Sequence, residues 1–169
     1  MNATLASWNS ADETTAFNAM IACCGSKRWA QSMVALRPFE SIESLSLTAD
    51  KVWSTMQEPD WMEAFACHPR IGERKAAHAV AKSAAWSAQE QSSTERAAEQ
   101  VLAELAAGNT LYEERFGFTY IVCATGKSAA EMLAILNRRL ASDRKTELRE
   151  AAEQQRQITQ IRLGKWLAE

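Results

Sequence analysis

The chain has 169 residues, is 47% hydrophobic and carries a formal net charge of −2 at pH 7. A chain of this size can bury roughly 70% of its unfolded surface in one globular domain, whereas its charge balance offers no positive excess to phosphates and excludes nucleic acid as an expected partner. No apolar run reaches the roughly 18 residues of a membrane-spanning helix, so we expect a single soluble domain over residues 1–169.

Glycine and proline are scarce and separate segments whose apolar residues have helical spacing. This pattern predicts an all-α fold, a single-domain bundle of about seven to eight helices. Ser10 with Glu13 matches a capping box and predicts the start of a helix that ends at Gly25. Ser26 is then expected to begin a second helix that ends before Pro38.

The next two predicted helices lead to a histidine. Residues 48–57 carry apolar side chains at helical spacing. A further helix is expected to begin after Pro59 and to cover about residues 60–67, because proline is favoured in the first turn of a helix. His68 would therefore follow directly on a helix that packs into the core.

A second capping box, Ser87 with Glu90, predicts the start of a long Ala-rich helix. That helix is expected to run to about Ala107 and to end at Gly108 in the left-handed conformation. Asn109 is expected to cap the helix that follows.

The last third of the chain contains one β-like run, residues 116–123. Its length does not distinguish a strand from a buried helix or an extended loop. Ser128 with Glu131 predicts a helix that includes Leu140. A final helix is expected over about residues 143–167.

His68 lies between a helical pattern and a loop that contains Pro69 and Gly72. In one interpretation it is an incidental helix end, because proline disfavours helical geometry at the residue before it. In the other, Pro69 and Gly72 fix the backbone so that an imidazole, which titrates near neutral pH, is held at a cleft for proton transfer. The local sequence leaves both interpretations open.

Two charged residues also have a structural and a functional interpretation. Glu90 can bond the backbone N–H of its own cap, and a carboxylate at a helix start that faces a cleft can also orient an imidazole or accept a substrate N–H. Arg162 interrupts an apolar stripe, four residues after Ile158 and four before Trp166. It can keep its guanidinium in solvent, or project it into a cleft to pair with a carboxylate or a carbonyl oxygen.

Metal sites and cofactor motifs are not expected. The four cysteines have no CxxC spacing and His78 stands apart from other ligand types, so we expect reduced, packed thiols, no disulfides and no zinc. The chain has no phosphate-binding loop, GxSxG elbow or HExxH helix. The beginning lacks a signal-peptide pattern and the end lacks a peroxisomal address, so a cytoplasmic location is expected.

Four separated motifs together resemble a known family. They are His68 to Glu73; Ser87, Glu90 and Gln91 after Trp86; Phe116, Gly117 and Phe118 with Tyr120 to Ala124 and Gly126 to Ser128; and Ile161, Arg162 and Leu163. Over residues 8–167 the chain resembles the 2-oxo-4-hydroxy-4-carboxy-5-ureidoimidazoline (OHCU) decarboxylases of uric acid breakdown. The order and separation of the motifs make this resemblance specific.

The resemblance implies an all-helical enzyme that releases CO2 from the unstable urate-derived intermediate OHCU and gives (S)-allantoin. It implies no metal or organic cofactor, a small-molecule substrate and a homodimer. His68 would be the catalytic proton donor, with Glu90 beside it and Arg162 reaching in from the last helix. The substrate-binding residues that it implies are Pro69, Ser87, Glu90, Gln91, Tyr120, Ile121, Val122, Cys123, Ala124, Thr125 and Arg162.

Two alternatives stay open at this point. A helical bundle can be a non-enzymatic module that binds a partner through an apolar groove, because a fold does not determine a function. A decarboxylase of a related ureido or imidazoline substrate would also fit, because backbone groups can read the substrate ring. A pocket in which His68, Glu90 and Arg162 converge would argue against the binding module.

Overall fold

The structure is a computed structural model that describes residues 2–71 and 99–169. Within these ranges the chain forms eight α-helices and no β-strand, which confirms the predicted all-α fold. The helices are α1 (Ala3–Ser10), α2 (Glu13–Cys24), α3 (Lys27–Ala35), α4 (Ile42–Ser54), α5 (Glu58–Ala66), α6 (Glu99–Phe116), α7 (Ala129–Arg139) and α8 (Arg144–Leu167). None of these helices is both long and apolar enough to cross a membrane.

The chain divides into two compact units, and the first comprises Met1–Ala64 and Arg156–Glu169. Its core is built around tryptophans. Trp8 stacks on Phe39 with ring centroids 6.0 Å apart and meets Trp166 edge-on at 5.8 Å. The indole N–H of Trp8 donates to the carbonyl of Ala16 at 2.9 Å, so the buried ring also has its polar group bonded.

One predicted helix start in this unit is wrong. Ser10 does not cap α2; it is the last residue of α1, and its hydroxyl donates to carbonyls of that helix. The cap is Asp12, whose carboxylate accepts from the hydroxyl of Thr15 at 2.6 Å and from its N–H at 2.9 Å. These two bonds lower the pKa of Asp12. The sequence matched a capping box, but a carboxylate two residues later satisfies the helix end directly.

The next boundaries agree with the prediction more closely. Gly25 ends α2 in the left-handed conformation with φ 89°, and the hydroxyl of Ser26 caps α3. Helix α4 begins six residues earlier than residue 48, because Ser41 and Ser44 form a reciprocal capping box. Helix α5 begins at Glu58 and ends at Ala66, close to the predicted bounds.

Within the described residues, the second unit, Phe65–Gln155, contains α6, α7, the loop that precedes α7 and the first half of α8. An aromatic cluster forms its core. The ring centroid of Tyr112 lies 4.7 Å from that of Phe116 and 5.3 Å from that of Tyr120, while Phe65 and Phe118 are 5.4 Å apart. Four of these five rings lie in residues 112–120, so the cluster ties the end of α6 to the segment after it.

Gly108 was predicted to end one helix and Asn109 to cap the next, and both predictions are wrong. Helix α6 runs through both residues and ends before Gly117, which adopts φ 81°. A Cβ on Gly108 would lie 2.5 Å from a methyl group of Leu136, so this glycine lets α7 approach α6. The predicted start of the Ala-rich helix at Ser87 and Glu90 lies outside the described residues.

The β-like run is an extended loop, the third of the alternatives left open. Phe116 ends α6, and residues 117–128 contain no helix or strand. Ser128 and Glu131 then form the predicted capping box of α7, with Glu131 accepting from the Ser128 N–H at 2.6 Å. Helix α8 begins one residue after the predicted position, and its end agrees.

Two glycines inside helices should respond differently to alanine. At Gly164 in α8 an added Cβ would have no atom within 4 Å. Gly164→Ala should therefore stabilise the protein by about 0.5–1 kcal/mol, the difference between glycine and alanine in a helix interior. Gly108→Ala gains the same helix propensity but must displace Leu136, so its stability should fall below that of Gly164→Ala. Urea unfolding of both variants measures the difference, and equal stabilisation would contradict the close approach at Gly108.

Candidate active site

His68 lies just beyond the end of α5 in the second unit. Its backbone N–H donates to the carbonyl of Phe65 at 3.1 Å, which continues the last turn of the helix. The ring is half-buried, and its Nε2 lies 2.6 Å from Oε1 of Gln155 on α8. Gln155 is 0% exposed. The imidazole is therefore held by a buried side chain.

The residues after His68 are anchored on α6. The guanidinium of Arg70 donates to both carboxylate oxygens of Glu113, from Nε at 2.8 Å and from Nη2 at 2.6 Å. Such a bidentate pair fixes direction as well as distance. The side-chain amide of Asn109 donates to the carbonyl of Ile71 at 3.1 Å, which is the structural role of the residue that was predicted to be a cap. His68 is thus bonded to α8, and the chain just after it is bonded to α6.

The extended loop is held from several sides. Tyr120 donates its hydroxyl to the carbonyl of Met132 at 3.1 Å, and Arg139 donates to the carbonyl of Ile121 at 2.6 Å. The N–H of Cys123 donates to Oε1 of Gln154 at 2.8 Å. Residues 120–124 are all buried, although they have no regular secondary structure. Their backbone is fixed by side chains from α7 and α8.

A buried charge cluster supports this loop. Arg139 is 3% exposed and Glu147 is 1% exposed, and the two form a salt bridge in which Nε of Arg139 also donates to Glu147. The hydroxyl of Tyr112 donates to the same carboxylate at 2.5 Å. Burial raises the pKa of Tyr112 and of Tyr120 above the ordinary value, so both stay neutral donors. Burial alone would lower the pKa of Arg139, but the hydrogen bond and charge of Glu147 together with Tyr112 and Tyr120 outweigh this and raise it.

Two consecutive residues of α8 each form a hydrogen bond to one of the predicted site segments. Gln154 contacts the extended loop through Cys123, and Gln155 contacts His68. Pro69 follows His68 and is half-buried. The second unit thus contains an imidazole and a rigid stretch of backbone, groups suited to proton transfer and to binding a polar ring. Among the described residues, no three His, Cys, Asp or Glu side chains cluster as metal ligands.

The other predicted site residues lie in different parts of the chain, and some are outside the described residues. Arg162 belongs to the first unit and is 1% exposed, so its head group does not extend into solvent and the snorkelling interpretation is wrong. Ser87, Glu90 and Gln91 lie outside the described residues. Tyr120, Ile121, Val122, Cys123 and Ala124 are buried in the extended loop, and Thr125 is exposed at its turn.

Gln154, Gln155 and Arg139 were not predicted from the sequence. One signal for Gln155 was present, because it interrupts the buried stripe of α8 in the same way as Arg162. Leu148, Ala151 and Ile158 of that stripe are buried and apolar, with Gln155 between the last two. A polar side chain at a core position of a helix indicates a specific partner, since an unpaired buried amide is costly.

The family of this chain follows from a comparison with known proteins. A family model described as OHCU decarboxylase matches residues 9–164. The chain belongs to the OHCU decarboxylase family. This confirms the resemblance that the four motifs indicated.

Relatives of this OHCU decarboxylase family member include longer proteins. The uric acid degradation bifunctional protein TTL of Arabidopsis thaliana is 37% identical over 144 residues, which are 85% of this chain and 44% of that protein. PucL of Bacillus subtilis, also named a uric acid degradation bifunctional protein, is 26% identical over 83% of this chain and 28% of its own length. The chain thus spans less than half of either relative. The OHCU decarboxylase of Haloferax volcanii is 26% identical over 76% of this chain and 74% of its own.

Solved structures of similar proteins agree with the family assignment. A crystal structure of an OHCU decarboxylase in the presence of (S)-allantoin matches with a TM-score of 0.76 and 35% identity, over 88% of this chain and 96% of that one. An (S)-allantoin synthase structure matches with a TM-score of 0.71 over 96% of this chain and 53% of that one, at 17% identity. The second match supports the fold alone.

Proposed function

We propose that this chain catalyses the decarboxylation of OHCU to (S)-allantoin in uric acid degradation. The observation that carries the proposal is its match to a solved OHCU decarboxylase, which is 35% identical to this chain and covered over 96% of its length. The structure adds a half-buried histidine bonded to Gln155 and a buried loop bonded to the adjacent Gln154. These groups suit a reaction in which the substrate must be oriented and one proton must be delivered to it.

The substrate supplies its own electron sink. When the carboxylate leaves as CO2, the electron pair of the broken C–C bond moves into the neighbouring C=N bond of the ring. No external electron acceptor is needed, which is the task that pyridoxal or thiamine performs in other decarboxylases. The protein must orient the carboxylate, stabilise the negative charge that develops on the ring and deliver one proton to a single ring face.

We assign the proton delivery to His68. An imidazole changes its protonation state near neutral pH and is the commonest general acid in enzymes. Delivery from one fixed position gives one stereoisomer, because the proton reaches one face of the ring. The position is fixed here by the bond to Oε1 of Gln155 and by the bonds that anchor Arg70 and Ile71 to α6.

We assign the substrate oxygens to Arg162 and to backbone N–H groups of residues 121–125. The N–H of Cys123 is an exception, because it donates to Gln154. Glu90 would orient the imidazole or hold a ureido N–H of the substrate. Pro69, Ser87, Gln91 and Tyr120 would surround the ligand.

Arg162→Lys tests the role of the buried guanidinium. Lysine keeps the charge but cannot reproduce the planar two-pronged donor, so kcat/KM for OHCU should fall roughly 10- to 100-fold. The urea midpoint and kcat/KM are measured on the same preparation. Arg156→Lys is the matched control, because Arg156 lies on the same helix and its guanidinium pairs with Asp50 at 3.0 Å. Kinetics of Arg162→Lys that equal those of the wild type would remove Arg162 from the site.

The proposed activity is tested by following OHCU itself. OHCU is generated in situ from urate with urate oxidase and hydroxyisourate hydrolase, and its loss is compared with and without this protein. We expect the protein to accelerate the loss in proportion to its concentration. No acceleration would contradict the proposal and favour the binding module. Acceleration with a different ureido or imidazoline compound, but not with OHCU, would favour the altered substrate.

We propose a single catalytic domain over residues 1–169 that acts in the cytoplasm. We also propose that it assembles as a homodimer, which the family resemblance implies. Sedimentation velocity measures the assembly directly, and a monomer at assay concentrations would contradict it.

A further inference from the structure

We propose that Gln155 is a positioning residue that keeps the hydrogen of neutral His68 on Nε2 and so makes Nδ1 the nitrogen that delivers the proton. The part of this proposal that concerns catalysis rests on the proposed decarboxylation. The part that concerns the imidazole stands on the geometry of the second unit alone.

The contact determines which ring nitrogen carries the hydrogen. Nε2 of His68 lies 2.6 Å from Oε1 of Gln155, a short and strong hydrogen-bond distance. An amide oxygen only accepts hydrogen bonds, so the hydrogen must come from Nε2. In a neutral imidazole one nitrogen is a donor and the other an acceptor. His68 is therefore protonated on Nε2, and Nδ1 is the nitrogen that gains and loses a proton.

Gln155 is well placed to impose this state. It is 0% exposed, so water does not compete for its amide. It lies inside α8, which spans Arg144–Leu167, and its neighbour Gln154 is bonded to Cys123 at 2.8 Å. A buried amide that lost its partner would cost roughly 1–3 kcal/mol, which resists rotation of the imidazole away from it.

The consequence for the reaction is a defined proton path. The imidazolium form of His68 gives its Nδ1 proton to the ring carbon that has lost CO2, and the electron pair held in the ring forms the new C–H bond. His68 is left neutral with its hydrogen still on Nε2, bonded to Gln155. A proton from solvent restores Nδ1. The contact with Gln155 persists throughout the cycle, so the ring does not need to reorient.

The test observes the imidazole directly. The chain has two histidines, so His78→Gln leaves His68 as the single imidazole for 15N-histidine labelling. Two-bond proton–nitrogen correlation spectra, recorded where the ring is neutral, distinguish the two tautomers. In this background we compare Gln155→Met, which removes the acceptor at similar volume, with Gln155→Glu, which keeps an acceptor oxygen. Gln160→Met is the matched control, because Gln160 lies on the same helix and bonds Ser46 and Asp50.

We expect the Nε2–H tautomer in the parent, in Gln155→Glu and in Gln160→Met, and a mixture of tautomers in Gln155→Met. The kcat of Gln155→Met should fall roughly 10- to 100-fold, the loss that follows removal of residues that orient metal-ligating histidines. If Gln155→Met does not fold, Gln155→Asn serves instead, because its shorter side chain withdraws the amide.

An Nδ1–H tautomer in the parent, or an unchanged tautomer in the variants without an acceptor, overturns the proposal. Predicted spectra in a protein without decarboxylase activity would contradict the proposed function and leave the tautomer assignment standing.

Discussion

Replacing His68 with glutamine is expected to lower kcat for OHCU decarboxylation by roughly 10²- to 10⁴-fold, the usual contribution of a positioned general acid. Glutamine keeps a donor near the position of Nε2, so the bond to Oε1 of Gln155 can persist. It cannot transfer a proton at neutral pH. The loss should therefore appear in kcat, while the free energy of unfolding changes by about 1 kcal/mol or less.

The other histidine of the chain provides the matched control. His78→Gln makes the same chemical change at a position that none of the four motifs includes, so kcat should stay at the wild-type value. Initial rates and urea unfolding are measured for both variants. A fully active His68→Gln enzyme would contradict the assignment of His68 as proton donor, whatever its stability.

Arg139→Met is expected to destabilise the protein by about 3–5 kcal/mol, because it leaves the carboxylate of Glu147 buried without its ion-pair partner. This is a large fraction of the total stability of a typical domain. It also removes the donor to the carbonyl of Ile121 in the extended loop. Urea unfolding of the whole chain measures the loss.

Two further variants separate the buried pair from a general effect of losing an arginine. Arg138→Met changes the adjacent, exposed arginine and should stay within about 0.5 kcal/mol of the wild type. The double variant Arg139→Met with Glu147→Leu removes both charges, and it should be more stable than Arg139→Met alone. Equal losses for Arg138→Met and Arg139→Met would contradict the special role of the buried pair.

Helix boundaries that depend on local contacts were predictable from the sequence. Ser128 with Glu131 begins α7, Ser26 caps α3 and Gly25 ends α2, as expected. Each of these signals acts within a few residues of itself, which is the range over which a sequence motif can be read. Ser10 was the exception, because Asp12, two residues later, caps α2 instead.

Predictions that depend on tertiary contacts were less successful. Gly108 matches a helix terminator, but its role is to admit Leu136, and nothing in the local sequence shows that neighbour. Asn109 matches a cap, but its amide bonds Ile71, which is 38 residues away in the sequence. The tertiary environment overrides a weak local preference at both positions.

In the candidate site, too, local sequence features could be predicted and tertiary contacts could not. His68 was singled out because proline and glycine punctuation surrounds it. Gln155 was not recognised, because glutamine within a helix carries no chemical signal until its partner is known. Its contact with His68 joins residues that are 87 positions apart. Sequence motifs suggested the candidate reacting groups, whereas a contact such as that of Gln155 is visible only in the fold.

The stereochemistry of the product tests the central claim most directly. OHCU generated in situ is converted with wild-type protein, with His68→Gln and without protein, and the optical activity of the allantoin is recorded. Proton delivery from one side of the ring predicts rapid appearance of (S)-allantoin with the wild type alone. Racemic allantoin that appears with the wild type at the spontaneous rate would contradict both the decarboxylase activity and the role of His68.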